Sequence, residues 1–93
     1  MSYEVIGTTY DGKKIVKVTI PGATINAGAT ATFTANVPAL FVKSLLSINY
    51  TASMPGVISG PFNVVIANNT VSFTLYAGTT TSISTIDVIV EAV

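Results

Sequence analysis

Apolar and polar residues alternate along most of the chain with a period of two, which is the pattern of β-strands that bury one face. The clearest run is residues 29–37, where Ala, Phe and Val occupy the odd positions and Thr or Asn the even ones. Another clear run, residues 70–77, places Val71, Phe73, Leu75 and Ala77 on one face. Shorter or weaker alternation predicts five further strands, at residues 3–8, 15–20, 46–51, 62–66 and 86–91.

Residues that favour turns separate these runs: Asp11-Gly12, Pro21-Gly22, Ala27-Gly28, Pro55-Gly56, Gly60-Pro61, Asn68-Asn69 and Gly78. Asn68-Asn69 stands directly between two alternating runs and predicts a tight hairpin. No segment carries an apolar stripe of helical period over three turns, and Pro38–Leu46 predicts one helical turn at most. The pattern therefore predicts an all-β domain covering residues 1–93. It is expected to be a compact antiparallel β-sandwich or barrel of about seven short strands.

Charge is scarce and unevenly distributed. Of the 93 residues, 49% are hydrophobic and only 9% are charged, against about 25% charged in a typical soluble protein. Five of the eight charges lie in the first seventeen residues, and Lys43 is the one charge between Val18 and Ile86. This shift predicts a charged N-terminal hairpin or arm over residues 1–20 and a sandwich body over residues 21–93. The hairpin is either simply solvated or in contact with a partner.

The composition excludes several classes of chemistry. The chain has no His, Cys, Trp, Arg or Gln, so disulfides, Cys/His zinc sites and histidine-activated nucleophiles are excluded. Four Lys balanced by four acids give little drive for nucleic-acid binding. Asp87 and Glu91 share a strand face about 13 Å apart, too far for a glycosidase pair. We expect no enzymatic activity, no cofactor and no metal site.

A membrane location is not expected either. Polar residues interrupt every apolar stretch before the roughly 18 residues that a spanning helix needs. The first residues include Glu4 and show no apolar core of a signal peptide. We therefore expect a protein that works without a membrane.

The surface implied by the alternation is unusual for a monomer, because it consists mainly of Thr, Ser and Asn together with apolar side chains. The apolar residues predicted to face away from the core are Leu45, Val65, Tyr76 and Ile89. A charge-poor β surface favours association with other chains, so we expect a homo-oligomer or a larger assembly. In the consecutive apolar segment 37–42, Leu40 and Phe41 either close one end of the sandwich or contact a neighbouring subunit. Residues 54–58 leave the same two possibilities open.

Four segments resemble those of small virion structural proteins of tailed bacteriophages. They are Ile25-Asn-Ala-Gly-Ala-Thr-Ala-Thr32, Met54-Pro-Gly-Val57, Asn69-Thr-Val-Ser-Phe-Thr-Leu75 and Ile86-Asp-Val-Ile-Val90. The resemblance implies a capsid decoration, or cement, protein of the virion that is assembled in the host cytoplasm. It also implies a homo-oligomer, with a trimer favoured, seated on the major capsid protein or another virion protein. It carries no catalytic residues.

Together these observations give a hypothesis about contact residues. Contacts between subunits are assigned to Leu40, Phe41, Tyr76 and Ile89. Contacts of the N-terminal hairpin with the capsid are assigned to Tyr3, Lys13 and Lys14. Two alternatives stay open: a filament or pilus subunit that polymerises by strand addition, and a carbohydrate-binding module that stacks sugars on tyrosines.

Overall fold

The strands form as the alternation predicts, with β-branched Thr, Val and Ile filling most of their positions. The computed structural model describes residues 2–38 and 40–93, so Met1 and Ala39 of the predicted segments lie outside it. Over the described residues the chain contains strands, one 3₁₀ turn and no α-helix, which confirms the all-β prediction. The strands are β1 (Ser2–Thr8), β2 (Lys14–Pro21), β3 (Thr24–Ile25), β4 (Ala29–Asn36), β5 (Val42–Ala52), β6 (Ile58–Ala67), β7 (Thr70–Ala77) and β8 (Thr81–Ala92). The 3₁₀ turn, Pro55–Val57, precedes β6.

Two antiparallel sheets pack face to face. Sheet I has the order β1-β2-β8-β5, and the two-residue β3 continues the line of β2 along the same edge of β8. Sheet II has the order β4-β7-β6. Across the core β4 contacts β2, and β6 contacts β5. The protein is therefore a β-sandwich with five strands in one layer, where β2 and β3 share one position beside β8, and three strands in the other.

The core consists of the inward residues of both sheets. In sheet I, β2 and β8 contribute the fully buried Val16, Val18, Ile86, Val88 and Val90. In sheet II, β7 contributes Val71, Phe73, Leu75 and Ala77, as its alternation predicts. The rings of Phe33 and Phe73 stack with their centroids 5.8 Å apart. Since β1 pairs with β2 and β2 pairs with β8 along its whole length, the described part of the charged hairpin, residues 2–20, is an integral part of sheet I.

The central part of β5 departs from the predicted alternation. A register shift between Leu45 and Ser47 inserts one extra residue opposite β8. As a result Leu45 packs against the core and Leu46 is exposed, the reverse of the prediction, because a bulge changes which face the following residues occupy. β5 begins at Val42, so residues 42–46 of the segment predicted to hold one helical turn at most are strand.

The path of β6 also differs from the prediction. Gly60-Pro61, predicted as a turn between strands, lies inside β6 and has a cis peptide bond. Register shifts on either side of Phe62 interrupt the pairing of β6 with β7. Pro is tolerated here because β6 is an edge strand with one unpaired side. The hairpin predicted at Asn68-Asn69 is confirmed, and it joins β6 to β7.

Candidate interaction surface

The two outer faces of the sandwich differ in charge. The outer face of sheet I contains both acidic and basic residues, namely Glu4, Lys17, Asp87 and Glu91. The three strands of sheet II contain no charged residue at all. All of sheet II therefore comes from the part of the sequence, residues 18–86, in which Lys43 is the one charge.

On sheet I the charges form pairs across neighbouring strands. Lys17 Nζ lies 3.1 Å from Glu4 Oε1, in register between β2 and β1. The hydroxyl of Thr19 donates to Asp87 Oδ1 at 2.7 Å. These contacts are partly exposed, which is typical of a solvated face and contributes little to stability.

The turn between β1 and β2 is held by a charged pair. The Lys13 ammonium bonds the Asp11 carboxylate, to which Thr9 also donates. The hydrogen bond from Lys13, followed by that from Thr9, lowers the pKa of Asp11 to about 2. The same hydrogen bond raises the pKa of Lys13. Lys13 also lies 3.9 Å from Glu91 Oε1, so this predicted capsid contact is engaged within the molecule.

The outer face of sheet II is formed by rows of hydroxyl groups bordered by apolar side chains. The hydroxyls of Thr32 and Thr74 are 3.1 Å apart, and those of Thr34 and Ser72 are 3.0 Å apart. β6 completes these two rows with Phe62 beside Thr74 and Val65 beside Ser72. Phe62 is 48% exposed and Val65 is 58% exposed. We call these residues, together with Tyr76 in the neighbouring row, the uncharged face.

Two of the predicted subunit contacts lie on opposite sides of the molecule. Tyr76 belongs to the uncharged face, beside Thr30 and Ser59. Ile89 lies on the outer face of sheet I, where Lys17 and Ser47 flank it. Both side chains point away from the core, as the alternation predicts, but a single flat contact cannot include both.

The other two predicted subunit contacts lie at one end of the sandwich. Leu40 packs partly against the core, whereas the neighbouring Phe41 is 59% exposed. The backbone of Phe41 exchanges two hydrogen bonds of 2.8 Å with that of Val93. Leu40 and Phe41 line an open depression of about 430 Å³ with Asn68 and Asn69. Leu40 thus closes the end of the core, and Phe41 is available for contact.

The N-terminal hairpin separates its predicted contact residues. Tyr3 pairs with Val18 near one end of the hairpin, and Lys14 pairs with Thr8 near the other. Lys14 is exposed at the start of β2. The structure therefore does not bring Tyr3 together with Lys13 and Lys14.

The tyrosines that a sugar-binding platform would use are dispersed. Tyr50 packs against the core, and Tyr76 lies on the uncharged face. Tyr3 is on β1, and Tyr10 is fully exposed in the turn that follows β1. No two of them share a stacking surface, which removes the observation on which the carbohydrate alternative rested.

Sequence reasoning missed two exposed apolar groups. The alternation of residues 62–66 predicts that Phe62 faces the core, opposite to Val65, and this is wrong: Phe62 is 48% exposed beside Thr74 on the outer face of sheet II. The exposure of Val5 and Ile6 on β1 is not predicted at all. The signals were present: Pro61 inside an apolar run marks an edge strand or a bulge, and Gly7 inside a strand marks a bulge. Both irregularities occur, between Ser59 and Val65 and between Val5 and Gly7.

Comparisons with protein-family models, curated proteins and solved structures found no match to this chain. Among the described residues no helix has the length and apolarity needed to cross a membrane. The same residues contain no group of three or more side chains able to hold a metal ion.

Proposed function

We propose that the protein is a non-enzymatic structural subunit that docks through its uncharged face on a larger protein assembly. The assembly we propose is a bacteriophage virion, in which the chain acts as a capsid decoration protein on the major capsid protein. The observation that supports docking is the separation of charge between the two outer faces. The virion assignment rests on the resemblance of the sequence segments.

Burial of a charged side chain without a partner is costly, whereas burial of hydroxyl and apolar groups is not, provided that the hydroxyls are hydrogen-bonded. On the uncharged face Thr32, Thr34, Ser72 and Thr74 already bond one another. This face is therefore suited to contact with another protein, and the paired charges of sheet I are suited to solvent. Depletion of charge is also the mark of interface cores.

The apolar border supplies most of the expected affinity. Phe62 exposes about half of its side chain, which corresponds to roughly 100 Å² of apolar surface. At about 25 cal/mol per Å², its burial contributes about 2.5 kcal/mol. Loss of this side chain is expected to weaken docking roughly 60-fold.

The test uses virus particles purified on a density gradient from host cells that carry the gene. We expect the chain in the particles at a fixed ratio to the major capsid protein, and the double variant Phe62→Ser/Val65→Ser to remain folded but dissociate. Ile89→Ser is the matched control, because it removes an apolar side chain from the opposite face. Absence of the wild-type chain from particles, or equal retention of the double variant and the wild type, contradicts the proposal.

A filament subunit is the second candidate, and one observation favours it. β4 is an edge strand of sheet II without any register shift, so its outer edge is open to strand addition. Open-ended polymers whose mass grows with concentration, seen by light scattering, would support this candidate.

A further inference from the structure

Sheet II is one strand narrower than sheet I, and β1 is the strand left uncovered. Tyr3 and Val5 pair directly with Val18 and Val16, so all four side chains lie on the inner face of sheet I. Val16 and Val18 are 0% exposed, whereas Tyr3 is 45% and Val5 is 48% exposed. The exposure rises because β4 covers β2 and no described strand covers β1. β1 therefore projects beyond the edge of β4, and we call its uncovered inner face, with Tyr3 and Val5, the apolar step.

Among the four longer edge strands that the structure describes, β1, β4, β5 and β6, only β4 has no register shift. Its eight residues, Ala29–Asn36, pair with β7 in unbroken register and include no Pro and no charge. The other three edges are each interrupted: β1 by one register shift, β5 by three, and β6 by two together with Pro61. Such interruptions limit how far an edge strand can pair with another strand. β4 has none, and the single shift on β1 leaves residues 2–5 in regular register.

The backbone groups on the free edge of β4 can be assigned. The N–H of Val37 donates to the carbonyl of Asn69 at 2.8 Å, one step beyond the last residue pair of the β4–β7 ladder. Because hydrogen-bonded pairs alternate along an antiparallel ladder, the odd residues of β4 bond β7. The even residues, Thr30, Thr32, Thr34 and Asn36, direct their N–H and C=O groups to the free edge.

We propose that β1 of a second copy of this chain occupies the place beside β4, and that two copies form a closed dimer in this way. A two-fold axis parallel to the strands brings β1 of each copy to the free edge of β4 in the other copy. That is the position at which sheet II lacks a strand opposite β1. The inner faces of the two β1 strands, with Tyr3 and Val5, then cover each other, and each β1 pairs with the β4 of its partner. β1 and β4 run in the same direction, from the end of the sandwich near Pro21 toward the end near Lys14, so the new pairing is parallel.

The same step excludes the simplest alternative contact between two copies. Direct pairing of β4 with the β4 of a second copy needs a two-fold axis perpendicular to the sheets, because adjacent copies of one strand must run antiparallel. That operation places the second copy's β2 where the first copy's β1 lies, about one strand spacing beyond β4. The projection of β1 beyond β4 therefore permits the dimer in which each β1 pairs with the partner's β4. It blocks the dimer in which the two β4 strands pair with each other.

The size of the contact sets the expected affinity. Seven-residue strands are about 23 Å long, and the thin dimension of the molecule is 20 Å. The contact therefore covers roughly 450 Å² of projected surface on each copy, about 900 Å² in total, which is in the range of weak, transient interfaces. We expect dissociation in the micromolar range. The contact uses the side of the sandwich and does not depend on docking through the uncharged face.

The first experiment is sedimentation equilibrium from about 1 μM to about 1 mM. Wild type is expected to change from monomer to dimer. Thr32→Pro removes an N–H directed to the free edge and leaves the β4–β7 ladder intact, so the variant is expected to fold and to remain monomeric. Thr32→Val is the matched control, because it loses the same hydroxyl bond to Thr74 but keeps the N–H. It is expected to dimerise like the wild type.

The second experiment follows amide hydrogen exchange by NMR at low and high protein concentration. Ala31, Phe33 and Ala35 are expected to be protected at both concentrations because they bond β7. Amides of Thr30, Thr32 and Thr34 are expected to exchange fast at low concentration and to gain protection of tenfold or more at high concentration. Conformational change elsewhere would not produce this alternation.

A further pair of variants keeps the proposal falsifiable if Thr32→Pro does not fold. Val5→Asp places a charge on the apolar step and is expected to abolish the dimer. Leu46→Asp places the same charge on an exposed residue of β5 and is expected to have no effect. A monomer at all concentrations, a trimer, open-ended growth, or a dimer that survives Val5→Asp would each overturn the proposal. None of these outcomes bears on particle binding through Phe62 and Val65, so the two proposals fail separately.

Discussion

Gly22 lies where β2 passes into β3, and the chain approaches β8 too closely there for any side chain. A Cβ at residue 22 would lie 2.1 Å from the carbonyl oxygen of Ile83 and 2.5 Å from its carbonyl carbon. Both are backbone atoms and cannot rotate away. Gly22→Ala therefore requires the segment between β2 and β3 to move by about 1 Å from β8, because contacts of Cβ atoms below 3.0 Å essentially do not occur.

The cost follows from the contacts that this movement disrupts. The N–H of Gly22 donates to Ser84 at 3.1 Å, and the N–H of Ile83 donates to Ala23 at 2.9 Å. Each bond contributes about 1 kcal/mol net. Partial exposure of the buried Ile25 adds about 1–2 kcal/mol. We expect a loss of about 3–4 kcal/mol in the free energy of unfolding, which corresponds to a Tm lower by at least about 12 °C for a domain of this size.

The assay is thermal and urea unfolding followed by circular dichroism. Gly56→Ala is the matched control, because a Cβ at that position meets nothing within 4 Å. It is expected to stay within about 1 kcal/mol of wild type. If Gly22→Ala melts within a few degrees of Gly56→Ala, the close approach of β2 and β8 is refuted.

Two further predictions concern polar contacts. The bond from Lys13 lowers the pKa of Asp11 to about 2, so its stabilising effect is complete above the ordinary pKa of 3.8 and is lost as the pH falls toward 2. An NMR titration of Asp11 is expected to show this midpoint and, in Lys13→Met, one closer to 3.8; equal midpoints would contradict the pairing. Thr81→Val removes the acceptor of the Met54 N–H at 3.1 Å and is expected to cost about 1–3 kcal/mol in urea unfolding. Thr85→Val, exposed on the same strand, is expected to change stability by less than about 0.5 kcal/mol, and equal effects of the two variants would show that the contact is unimportant.

The sequence predicts the fold class because the strands that form the core alternate without interruption. β7 shows this most clearly: Val71, Phe73, Leu75 and Ala77 are all buried, and the residues between them are not. A period of two specifies both the strand and its inner face. The Asn68-Asn69 hairpin is likewise a local feature, and it occurs where the sequence predicts it.

The errors arise where pairing with a distant strand determines the face. One inserted residue in β5 exchanges the environments of Leu45 and Leu46, and no local pattern marks it. Tyr3 and Val5 are a different case. Their inward orientation follows from alternation, but their exposure depends on the number of strands in the opposite sheet. The separation of charge between the two faces could be anticipated from the composition of residues 18–86 only once the strand order was known.

The two proposals constrain each other through symmetry. A two-fold axis parallel to the strands directs the uncharged faces of the two copies to opposite sides of the dimer. A dimer docked on one shell therefore contacts it through one copy and presents the second uncharged face, with Phe62 and Val65, outward. That outward face is free to bind a further protein, so the dimer acts as a bridge. It also follows that Thr32→Pro, which separates the copies but leaves Phe62 and Val65 in place, halves the number of chains per docking site while the number of occupied sites is unchanged.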